Sequence, residues 1–227
     1  DGLIVDLRDN AITDLSPLGP LEALRYLNLS NNQIMSMQGL GSKPELLDLN
    51  LDSNVVSRIE VDHMPELATL DLDDNAVTDL GEVGLLTSLR NLELDDCQVT
   101  DLSPLAGLTA LRRLDLLNNP DVTSLEPLAE VMALDYLRVG GGGQNFNLAP
   151  LMGLPLARHI ELLDTGVETL DPLMSLPSLR VLSLRSSTSV GNAQLATLSS
   201  LTALTSLDLS ETSVTDLSEL APLTSLQ

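Results

Sequence analysis

Residues 24–34 read LRYLNLSNNQI, with apolar residues at Leu24, Leu27, Leu29 and Ile34 and an asparagine at Asn32. The same spacing returns at 46–56, LLDLNLDSNVV, and at 67–77, LATLDLDDNAV. In the middle of each stretch apolar and polar residues alternate, the period of a short strand with one buried face. One such strand cannot bury its leucines alone. Copies stacked side by side can, so the pattern predicts a solenoid with strands paired in parallel.

Outward from these copies the template L-x-x-L-x-L-x-x-N-x-I/V runs through the chain. It continues as Leu89, Leu92, Leu94, Cys97, Val99, and then as Leu111, Leu114, Leu116, Asn119, Val122. Looser copies begin at Leu134, Ala157, Leu179 and Leu204, and an opening copy carries Val5, Leu7, Asn10 and Ile12. Successive starts from Leu24 onward lie 21 to 25 residues apart. The expected fold is an α/β repeat solenoid of the leucine-rich-repeat kind, a right-handed arc with a parallel β-sheet on the concave side and turns or 3₁₀ segments on the convex side. Residues 1–227 form a single domain of about ten repeats. The chain opens and closes inside a repeat, at Gly2 and Leu226, without recognisable caps, and is expected to be a fragment of a longer protein or to have its ends covered by a partner.

The ladder position of the template needs a small polar side chain. An asparagine amide there satisfies backbone groups of the neighbouring turn. Cys97 and Thr165 take that position in their own copies. Cys97 is therefore expected in the core rather than as a nucleophile.

The second half of a repeat carries a phrase, I/V-T-D-L-S-P-L, at 12–18 and 99–105, and at 214–220 with Glu219 replacing proline. Proline fixes φ and lacks a donor, which excludes a ladder strand and suits a tight turn. The repeat length and this phrase resemble the internalin class of bacterial leucine-rich repeats, over essentially the whole chain. The resemblance implies a secreted or surface-exposed protein that binds other proteins through its concave face. A cytoplasmic setting stays open.

Composition bounds the partner. Eleven basic residues face 33 acidic ones, for a net charge of -22. Phosphate binding needs clustered lysine and arginine, so nucleic acid is disfavoured, as is an anionic membrane surface. No apolar run is long enough to span a bilayer. An acidic surface of this kind arises from a solvent-adapted composition or serves basic partners and cations.

The residues between the leucines line the concave face. In the third to sixth copies they are acidic, and Asp48, Asp52, Asp71, Asp73, Asp74, Glu93, Asp95, Asp96 and Asp115 form the candidate partner-binding patch. Carboxylates on neighbouring strands stand about 5 Å apart and raise each other's pKa, so solvent and salt, a cation or a basic partner must compensate. Calcium takes six to eight oxygen ligands, and Asp73, Asp74, Asp95 and Asp96 are the candidates to supply several. No other cofactor is implied. Tyr26, Arg113, Tyr136, Arg138 and His159 form a secondary candidate set, with Tyr26 and Tyr136 the aromatic anchors. Arg25, Arg90, Arg112, Arg158 and Arg180 recur one residue earlier and are expected to pair with carboxylates across strands, the alternative being a face with a basic edge and an acidic edge that orients a dipolar partner. Gly140 to Gly143 read as a loop irregularity or as a bare spot, flanked by Tyr136 and Phe146, where another backbone approaches.

Nothing in the sequence carries catalysis. It has no Gly-rich phosphate loop, no Cys-x-x-Cys and no His-Glu-x-x-His. His63 falls on a convex segment and His159 on the concave face, too far apart to share a metal. The expected function is a protein–protein interaction module for a basic or polar partner, of the adhesin or virulence-recognition type. The alternatives are a structural or regulatory scaffold within a larger protein, or a calcium-binding face.

Overall fold

A computed structural model describes residues 2–227. Ten strands form one parallel sheet in strict chain order. They are β1 (Leu3–Asp6), β2 (Leu24–Asn28), β3 (Asp48–Asn50), β4 (Thr69–Asp71), β5 (Asn91–Glu93), β6 (Arg113–Leu117), β7 (Tyr136–Gln144), β8 (His159–Thr165), β9 (Val181–Ser183) and β10 (Ser206–Asp208). The register follows the template. Leu27 pairs with Leu49, Leu49 with Leu70, Leu70 with Leu92 and Leu92 with Leu114, and all five side chains are buried. The solenoid with convex 3₁₀ turns is therefore as the spacing predicts.

Each convex phrase has a local cause. The aspartate of T-D-L-S-P-L accepts from the backbone N–H of the serine two residues on, at 2.9 Å for Asp14 and Ser16, 2.8 Å for Asp101 and Ser103, and 2.9 Å for Asp216 and Ser218. These serine hydrogen bonds hold the three carboxyls below the usual range. The serine then opens a 3₁₀ turn, as at Ser103–Gly107, whose Pro104 occupies a position needing no donor. Leu102, Leu105 and Leu108 fill the interior beneath it.

The asparagine ladder is a set of repeated four-bond junctions. Asn54 donates through Nδ2 to the carbonyls of Leu51 at 2.9 Å and Asp52 at 3.1 Å in its own turn, and to Leu29 at 3.0 Å in the preceding repeat. Its Oδ1 accepts from Ile34 N–H at 3.0 Å. Asn32, Asn75 and Asn119 repeat the arrangement. Cys97 keeps one bond, Sγ to the Leu72 carbonyl at 3.2 Å. Thr165 sits behind Ser187, whose hydroxyl accepts from Thr165 N–H at 3.0 Å and donates to the Leu162 carbonyl at 3.0 Å.

The turn leaving each strand is left-handed. Asn31, Ser53, Asp74, Asp96, Asn118, Asp164 and Ser186, each two residues past a buried leucine, have φ between 48° and 62°. Gly141, at φ 87°, takes the equivalent place in the seventh repeat.

Four features depart from expectation. The glycine run is an irregularity inside a strand rather than a free loop: β7 spans it, its register against β8 shifts between Gly140 and Gln144, and pairing resumes at Gln144. A Cβ on Gly140 would lie 1.8 Å from the Leu163 carbonyl oxygen, and one on Gly141 would lie 2.2 Å from the Asn118 side chain. The approaching backbone belongs to the neighbouring repeats, and Phe146 is core. The irregular ninth repeat forms a helix, α1 (Asn192–Leu198), with Leu195 and Leu198 buried. Lys43 is wholly buried, its ammonium donating to the carbonyls of Gly19 at 3.1 Å, Ser42 at 3.2 Å and Leu40. Burial pushes its pKa down. Finally, among the described residues only Arg25 of the five-arginine row makes an ion pair, with Glu45 at 3.7 Å.

Candidate functional site

Strands β3 to β6 and the turns that leave them carry the nine acidic candidates, of which seven fall into two groups on the sheet and Asp74 and Asp96 stand in the left-handed turns. Asp48, Asp52, Asp71 and Asp73 make no ion pair among the described residues. Neutral donors reach three of them. Asn50 Nδ2 donates to Asp71 at 2.6 Å, and the backbone N–H of Asp95 donates to Asp73 at 2.6 Å. Ser53 donates to Asp52 at 2.9 Å.

Glu93, Asp95 and Asp115 lie instead under arginines. Arg138 Nη1 reaches Asp115 at 3.1 Å and Asp95 at 3.5 Å, while Arg113 reaches Glu93 at 3.3 Å and Asp115 at 3.8 Å. Asp115 is only 3% exposed, so it is a buried ion-pair partner rather than a surface residue of the patch. The sequence reading placed it on the surface because it faces out of the sheet, and missed that residues from its own strand and the next fold over it.

Desolvation is the largest cause of the unusual acidities here. Burial, with lesser repulsion from Glu93, Asp52 and Asp48, pushes Asp71 up to about 6. Burial pushes Asp73 up to about 7, helped by Asp71, Glu93 and Asp115. Asp95 rises to about 6, and burial also raises Asp48. Half-removed from water and near one another, these groups favour the neutral form.

The cation candidates are only partly assembled. Asp71, Asp73 and Glu93 each offer an oxygen within 4.8 Å of the others. Asp74 and Asp96 stand outside that group, in the left-handed turn, where Asp96 accepts from Asn118 Nδ2 at 3.0 Å. Asp95 leans on Arg138. Of Asp73, Asp74, Asp95 and Asp96, the fold therefore brings only Asp73 into the oxygen cluster.

The secondary set, apart from Tyr26, is one connected cluster. The Arg113 guanidinium lies 3.8 Å from the Tyr136 ring centroid, and the Tyr136 and His159 rings are 4.6 Å apart. Glu161 joins them: it meets Tyr136 Oη at 3.3 Å, His159 Nε2 at 2.6 Å and Arg138 Nε at 3.7 Å. Burial first, then Glu161, pushes the Tyr136 hydroxyl up to about 12. Glu161 was missed as a site residue. Its signal was the alternation Asp115, Arg138, Glu161 on adjacent strands, which is the pattern of cross-strand pairing. Tyr26 stands apart and exposed beside a cleft floored by Leu47, Ala68 and Thr69.

The Cys97 thiol is buried and pushed up to about 12 by desolvation. A thiol held in that state is a ladder residue, not a nucleophile.

These features define a leucine-rich-repeat solenoid with a charged concave sheet. Residues 4–42 and 87–130 match the model of the leucine rich repeats family (2 copies). Among solved structures, the chain is similar to an internalin, InlF, of Listeria monocytogenes, with 24% identity and a TM-score of 0.67 over 98% of this chain and 78% of that one. It is similar to internalin C2 of the same organism, with 25% identity and a TM-score of 0.61 over 97% and 76%. A third similarity is to the functional domain of InlJ of Listeria monocytogenes, which includes a cysteine ladder, with 20% identity and a TM-score of 0.69 over 98% and 56%. Comparison with the sequences of curated proteins gives no match. In fold the chain is an internalin-like leucine-rich-repeat solenoid.

Proposed function

We propose that this chain is a protein-interaction module that receives a basic protein partner on the acidic half of its concave sheet. The observation that carries this reading is the quartet Asp48, Asp52, Asp71 and Asp73, half-desolvated on adjacent strands with no ion-pair partner among the described residues. A lysine or arginine of a partner would supply the charge these carboxylates lack, and with it an on-rate sensitive to salt. The internalin-like fold supports an interaction role and an extracellular or cell-surface setting.

Oligolysine is the probe that tests it. Binding should be saturable at low salt, weaken as salt rises, and fall roughly tenfold or more in Asp71→Asn with Asp73→Asn. Unchanged affinity in that variant would refute the assignment. The oxygen cluster of Asp71, Asp73 and Glu93 favours a second reading, a calcium ion. A thermal midpoint raised by calcium but not by sodium chloride at equal ionic strength, and insensitive in Asp71→Asn, would give these carboxylates to the metal.

A further inference from the structure

The side of the sheet where chains enter the strands has the opposite character. A continuous backbone ladder marks its rim. Arg112 N–H donates to Arg90 O at 2.8 Å, Asp135 to Arg112 at 2.8 Å, Arg158 to Asp135 at 2.9 Å and Arg180 to Arg158 at 2.9 Å. Arg90, Arg112, Arg158 and Arg180 thus stand in register, one per repeat, broken only by Asp135. All four are exposed, and none makes an ion pair among the described residues.

That is unexpected in a chain with three acids for every base. The reason is where the acids are absent. In the third and fourth repeats the loop before the strand carries Glu45 and Glu66, and the rim position is apolar, Leu47 or Ala68. From the fifth repeat to the ninth the two loop residues before the buried position are uncharged: Thr-Ser at 87–88, Thr-Ala at 109–110, Met-Ala at 132–133, Pro-Leu at 155–156 and Pro-Ser at 177–178. The next row inward holds Asn91, Arg113, Tyr136, His159 and Val181, again without a carboxylate. Along β5 to β9 these two entry-side rows carry one carboxylate, Asp135, while the central row holds Glu93, Asp115 and Glu161. The concave surface is therefore dipolar across the strands, with a basic rim along β5 to β9.

We propose that this rim docks an extended acidic segment of the protein partner. The proposal extends the interaction reading above, and adds a second contact of opposite sign. Four strand steps span about 19 Å, the length of roughly six extended residues, so one short acidic stretch reaches all four guanidiniums. Arginine forks suit carboxylates, and unpaired exposed ones bind without first breaking an internal ion pair.

The test uses the whole chain and a fluorescent decaglutamate peptide. At low salt the peptide should bind saturably despite the net charge of -22, and binding should weaken with salt. The variant Arg90→Gln with Arg112→Gln and Arg158→Gln should bind roughly tenfold weaker or worse, with an unchanged thermal midpoint because these side chains are exposed. Asp71→Asn with Asp73→Asn should bind decaglutamate at least as well as the unmodified chain, while losing oligolysine. Absence of saturable binding, or a triple variant that binds normally, overturns the proposal while leaving the oligolysine result untouched. Binding of a sulfated polysaccharide through the same arginines, without binding of decaglutamate, overturns it in favour of a glycan.

Discussion

Asp115 shows how much a single position depends on its neighbours. Its carboxylate is buried only because Arg138 and Arg113 bring charge to it. Removing one member of such a pair leaves an uncompensated buried charge. Arg138→Met should therefore cost about 3 kcal/mol or more in chemical denaturation, and adding Asp115→Asn should restore much of the loss. Cys97 presents the reverse case. Its thiol donates once, to the Leu72 carbonyl, where an asparagine amide donates three times, so Cys97→Asn should raise stability by about 1 kcal/mol, read as a higher denaturant midpoint with unchanged slope. The ladder role of Cys97 was legible from its place in the template. The burial of Asp115 was not, because strand alternation says which face a residue occupies and not what folds over it. Lys43 was equally silent: a lone lysine in a loop gives no sign that three carbonyls will surround its ammonium.

At the scale of elements, the strands and 3₁₀ turns were legible because leucine spacing and the Asp-Leu-Ser-Pro phrase each specify a local geometry. The helix α1 and the long strand β7 were not, since both come from departures from the template. Glycines in a row suggested slack, whereas the close approach of Leu163 and Asn118 demands glycine at Gly140 and Gly141. Gly140→Ala should accordingly be among the most disruptive small substitutions, costing about 3 kcal/mol or more, since the added carbon would meet a backbone oxygen at 1.8 Å. Gly153→Ala, with nothing within 4 Å of its added carbon, should leave the thermal midpoint within a degree or two and serves as the control.

The whole molecule carries its acid as a stability term that depends on pH. In the folded chain Asp71, Asp73 and Asp95 titrate near 6 to 7, above the ordinary carboxylate value. Between those limits the folded state binds more protons than the unfolded one, so stability falls as pH rises. The thermal midpoint should climb as pH is lowered from about 8 toward 5, against the usual trend for native carboxylates. Asp73→Asn should raise the midpoint at pH 8 and flatten the climb. A midpoint that instead falls steadily on acidification would show that these carboxylates are stabilised when charged. On the concave face, the location of the acid was readable in advance. The basic rim was written in the arginine spacing too, but its freedom from ion pairs rests on what the loops leave out.

The asparagine ladder also sets an order of assembly. Each rung closes the turn of the repeat before it: Ile12 N–H finds its acceptor on Asn32, Ile34 on Asn54, Val56 on Asn75 and Val99 on Asn119. At the exit end of the strands the amides also point forward, Leu29 N–H donating to Asn50 O and Leu51 to Asp71 O, whereas the entry-side amides such as Arg112 donate back to the repeat already made. During synthesis a repeat leaving the ribosome therefore has no acceptor for these amides until about one further repeat has emerged. Growth of the solenoid is vectorial with a lag of one unit, and hydrogen exchange on stalled nascent chains should find the newest turn open and the one behind it sealed.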